Sequence, residues 1–75
     1  MTTEEAIQKL KQFVDPAKPE WIEIIYGNAW EIHFMNGNDV VCEVKGHDST
    51  LLQLIELILP EIQRYKAKGN NGSTE

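Results

Sequence analysis

The side chains able to do chemistry crowd the middle of this chain: His33 and Cys42, with His47 just after them, among Glu23, Glu31, Asp39 and Glu43. An imidazole held between carboxylates can act as a general base or ligate a metal ion. A thiol can act as a nucleophile when it is exposed in an electropositive setting. Which of these chemistries is open depends on the strand face each side chain occupies.

From Trp21 onward the apolar residues recur with period two, the spacing of a half-buried strand. Ile22, Ile24 and Tyr26 form one face of a first strand, Trp30, Ile32 and Phe34 of a second, and Val40, Cys42 and Val44 of a third. These nine are expected to face the helices. "YGNA" supplies the first corner and "MNGN" the second.

Asn-Gly at a hairpin tip serves either a two-residue loop or a three-residue loop with Gly in the left-handed region. A two-residue loop at Asn36-Gly37 would set Asp39, Glu43 and Lys45 among the apolar faces, so burial favours the three-residue loop Met35-Asn36-Gly37. That register pairs Ile32 with Val40 and Trp30 with Cys42. At the first corner, the loop Gly27-Asn28-Ala29 pairs Tyr26 with Trp30 and Glu23 with His33. The outward rows then read Glu23, His33, Asp39 and Ile25, Glu31, Val41.

Glu23, Glu31, His33, Asp39 and Glu43 therefore form a candidate acidic face. Two carboxylates beside one imidazole on an open sheet offer neither pocket nor nucleophile, and opposite charges across strands are ordinary stabilising pairs. Cys42 faces the core, where a free cysteine acts as a small hydrophobe, and His47 belongs to the turn before a helix. No catalytic or metal-ligating residue and no cofactor is expected.

Two helices must flank this sheet. Thr2 and Glu5 have capping-box spacing, and Ala6, Ile7, Leu10, Phe13 and Val14 follow on one helical face, ended by Asp15-Pro16. After "KGHDST", where Asp48, Ser49 or Thr50 can cap, a long helix runs from about Leu51 toward Lys68. Pro60 should kink it, or break it and start a second segment. The fold expected is α+β, with order helix, three-stranded antiparallel meander, helix (αβββα) and both helices on one face of the sheet. Residues 1–68 make a single domain, and 69–75, "GNNGSTE" after Lys68, a disordered tail.

Apolar side chains on the second helix, Leu51 to Tyr65, span an arc of about 220°, wider than the roughly 100° stripe that packs one surface. Its margins, Leu52, Leu57 and Leu59, are a candidate interface. On the outer sheet face Trp21, Ile25, Met35 and Val41 extend it.

The net charge of −5, with only seven Lys and Arg, opposes binding to nucleic acid or anionic membrane surfaces. "LLQLIELIL" is too short to cross a bilayer, which needs roughly 20 apolar residues. One cysteine cannot form an internal disulfide, and "MTTEEAIQKL" lacks the features of a signal peptide, so a cytoplasmic location is expected.

Between residues 2 and 68 the element order resembles the double-stranded-RNA-binding domain, which implies two helices packed on one face of an antiparallel sheet. That family carries a lysine cluster at the start of its second helix. "GHDSTLLQL" here has no lysine and one acid, so RNA binding is not implied. The expectation is a small non-catalytic protein-interaction or regulatory module that self-associates as a homodimer, a heterologous protein being the other partner considered. The alternative is an acidic inhibitor or nucleic-acid mimic seated in a basic groove of a partner.

Overall fold

The computed structural model describes residues 1–72, with side chains through Lys68; the side chains of the expected tail lie outside the described residues. Five elements follow one another: α1 (Thr3–Gln12), β1 (Glu20–Tyr26), β2 (Trp30–Asn36), β3 (Asp39–Gly46) and α2 (Leu51–Gly72). The strands form an antiparallel sheet in the order β1-β2-β3, with the helices packed against it in an α+β fold.

Both helix starts are capped reciprocally. Thr2 Oγ1 accepts from the Glu5 amide at 3.1 Å while Glu5 Oε1 accepts from the Thr2 amide at 2.8 Å. Thr50 and Gln53 repeat the device at α2, at 3.1 and 2.8 Å. Each pair satisfies two amides that the helix itself cannot. Pro60 lies inside α2 without ending it. The donor it lacks would have served the carbonyl of Glu56, and both residues are exposed.

β1 and β2 pair as expected, Tyr26 with Trp30 and Glu23 with His33. The second hairpin differs. Its turn is Gly37-Asn38, with Gly37 at φ 64° and no other positive φ among the described residues. That is the backbone of a two-residue loop with Gly first, which matches the strand twist. It pairs Asn36 with Asp39, and Pro19 O holds the turn by accepting from the Gly37 amide at 2.7 Å.

A two-residue loop alone would put charge on the inner face, and a bulge corrects this. Met35 faces Val40 and Phe34 faces Cys42, leaving Val41 unopposed; beyond it Ile32 meets Val44 and His33 meets Glu43. One extra residue restores the alternation. The expected loop Met35-Asn36-Gly37 is thus replaced by the Gly37-Asn38 turn, and the expected pairs of Ile32 with Val40 and Trp30 with Cys42 by Ile32 with Val44 and Trp30 with Gly46. The placements change with them: Val40, expected inside, is exposed; Val41, expected outside, is half-buried against the core; Asp39 pairs with Asn36 and stands off the His33 row.

The core is built from Phe34, Ile32, Leu10, Leu54, Ile55, Ile58 and Ile62, all fully buried, joined by Ala6 and Cys42. α2 lies over β2 and β3, and α1 packs on α2. β1 therefore receives little cover at its end.

Candidate functional site

Three surfaces could carry function. On the outer sheet face His33 sits between carboxylates: Nδ1 is 3.1 Å from Glu23 Oε1, Nε2 is 3.2 Å from Glu31 Oε1, and Glu43 Oε2 stands 3.9 Å from the same nitrogen. Lys45 reaches the other Glu31 oxygen at 3.6 Å. When the ring is protonated both nitrogens can donate to carboxylates, which makes the cluster a network of ion pairs. Among the described residues no group of His, Cys, Asp and Glu side chains is arranged to hold a metal ion.

Beside this network Trp21 Nε1 donates to Gly37 O at 3.3 Å. Met35 is buried, between Trp21 and Val40 in the strand pairing. Ile25 remains exposed and Val41 packs inward. The apolar members expected on this face thus do not form one continuous patch.

On α2 the broad arc is mostly covered. Leu52 and Leu59 are half-buried against the core, and Leu57 alone of the three stands free, beside Asp48, Ser49, Gln53 and Glu56. A single leucine among polar neighbours is ordinary surface.

The third surface, on the inner face of β1, is one that sequence reasoning missed. Ile22, Ile24 and Tyr26 share the face that points to the helices, yet Ile24 is 38% and Tyr26 65% exposed. Between Ile22 and Ile24 and α1 lies an open groove of about 460 Å³, walled by Ile7, Leu10, Lys11 and Val14 on one side and Ile22 and Ile24 on the other, with Pro16 and Trp21 completing its lining. Lys11 is its one charged wall residue. The groove exists because α1 leans on α2, where Ala6 and Leu10 reach the core, and stops short of covering the strand.

Glu20 closes the other end of the same face. Its carboxylate is buried and accepts from Lys66 Nζ and, at 2.9 Å, from the Asp15 amide. Burial pushes this carboxyl upward, but those hydrogen bonds outweigh it and hold it below the usual carboxylate range. The parity of β1 places Glu20 on the inner face beside Ile22, so a buried partner for it was readable from the sequence. In contrast the Cys42 thiol is pushed up, by burial first and by Glu61 second.

No family model, curated protein or solved structure matches this chain. No helix among the described residues is long and apolar enough to cross a membrane.

Proposed function

We propose that this chain is a small non-catalytic protein-interaction module, and that it docks through the inner face and free edge of β1. The observation that carries the reading is the open groove between α1 and β1, with Ile24 and Tyr26 left exposed on a face otherwise built for burial. Exposed apolar surface bordered by polar residues commonly marks a contact site. A bare strand edge adds main-chain donors and acceptors to it.

The acidic-inhibitor reading has less support. Glu23, Glu31 and Glu43 turn onto His33, and Lys45 engages Glu31, so these charges are partly spent within the sheet. Asp39 stands apart from them at the hairpin tip.

The test combines sedimentation equilibrium at two salt levels with a pull-down using wild type and Ile24→Lys as baits. Wild type should enter a complex, with itself or with another protein, that Ile24→Lys does not form. A complex that instead weakens sharply in salt and is lost in Glu23→Gln would favour the acidic reading. Absence of any complex in both assays would refute docking through β1.

A further inference from the structure

We infer that the occupant of this surface is a second copy of the chain, joined β1 to β1 about a two-fold axis at Ile24 so that two three-stranded sheets become one of six strands. The inference rests on the docking surface proposed above and adds its partner and register.

The two sheet edges are unequal. β3 carries a bulge at Val41 and the exposed charges Asp39, Glu43 and Lys45, the features by which natural sheets block an edge. β1 has neither bulge nor proline within it, pairs in unbroken register with β2, and ends in Ile24, Ile25 and Tyr26, all exposed. An edge of this kind is a template for another strand.

Self-pairing must also satisfy side-chain parity. Two copies joined by an axis perpendicular to the sheet keep their helices on the same side, and each residue of the axis then faces its own copy. An axis at Glu23 would set two like charges directly opposite, which is destabilising. An axis at Ile22 would place Glu20, already committed to Lys66 and Asp15, against Ile24 and leave Tyr26 without a partner.

Centred on Ile24, the pairing places Ile24 on Ile24, Glu23 beside Ile25 and Ile22 beside Tyr26. No like charges meet within the strand. Because Ile22 and Ile24 line the groove, Tyr26 of each copy, the most exposed of the large hydrophobics, arrives at the groove of the other. The strand edge, the groove and the exposed ring are thus satisfied by one operation.

Charge gives a second signature. Each copy carries −5, so the two repel at long range and added salt, by screening, should tighten the dimer modestly. A basic partner on the same surface would respond oppositely.

Single-cysteine variants in a Cys42→Ala background supply the decisive experiment, alongside sedimentation equilibrium of wild type and Ile24→Lys. Directly opposed residues in an antiparallel pair have Cα atoms about 4.5–5.5 Å apart, within the roughly 4.4–6.8 Å that a disulfide spans. Ile24→Cys should therefore oxidise to a covalent dimer, and Glu43→Cys, on the blocked edge, should not. Ile24→Lys sets two ammonium groups face to face and should weaken association on the order of 100-fold. Ile24 is partly exposed in the monomer, so circular dichroism should report an unchanged fold.

A wild type that stays monomeric throughout overturns this inference and leaves the docking surface to the pull-down. A dimer that survives Ile24→Lys overturns the site, and one that is lost in Ile24→Lys but in which Ile24→Cys resists oxidation overturns the register centred on Ile24.

Discussion

Replacing Glu20 by glutamine removes one charge from a buried junction and keeps its shape. In the native chain Glu20 Oε1 accepts from Lys66 Nζ on α2 and from the Asp15 amide in the connector, so one oxygen ties α2, the α1-β1 connector and the first residue of β1 together. A hydrogen bond to a charged group contributes about 1.5–3 kcal/mol. In Glu20→Gln the side-chain carbonyl could still accept from the Asp15 amide, and the Lys66 side chain is 24% exposed and can recover water. The loss should therefore fall near the lower end, about 1–2 kcal/mol. In a chain of 75 residues this corresponds to a fall of roughly 4–16 °C in Tm.

The pH dependence has a defined sign. A carboxyl held below its unfolded value stabilises the fold above that value, and the contribution disappears as pH falls through the folded one. Thermal melts of wild type and Glu20→Gln should therefore differ at pH 7 and converge as Glu20 takes up a proton in acid. Equal gaps at pH 7 and near pH 3, or no gap at pH 7, would refute the assignment of this carboxylate as the charged tie.

Two further outcomes follow from packing. Ile58→Ala should cost about 2–5 kcal/mol in urea unfolding, because Ile58 is fully buried, whereas Leu57→Gln one position earlier should stay within about 0.5 kcal/mol. Cys42 should react slowly with a thiol reagent in the native protein and fully once unfolded, since burial and Glu61 both disfavour its thiolate.

Local rules made much of this fold legible. Thr2 and Glu5 announced their capping box, period-two runs announced the strands, and parity fixed the β1-β2 register from a three-residue corner. The second hairpin defeated the same reasoning. Parity allows any solution that keeps apolar faces together, and a two-residue turn with a bulge meets that condition as well as a three-residue loop does. The chain takes the turn that suits Gly37 at positive φ and absorbs the odd residue at Val41.

The candidate surface was legible only in part. Period two correctly assigned Ile24 and Tyr26 to the inner face, but a face is covered only if a helix lies over it. That depends on where α1 settles, and α1 is held by Ala6 and Leu10 against the core shared with α2. The width of the α2 arc drew attention to Leu52 and Leu59, whose cover came from this same packing.

The bulge at Val41 has a bearing on assembly size. A building block with two cohesive ends polymerises without limit, while one with a single cohesive end can only be capped. If β1 pairs as inferred above, the bulge that spoils β3 as a template leaves the sheet with a valence of one. On that pairing, growth through β1 would end at two chains.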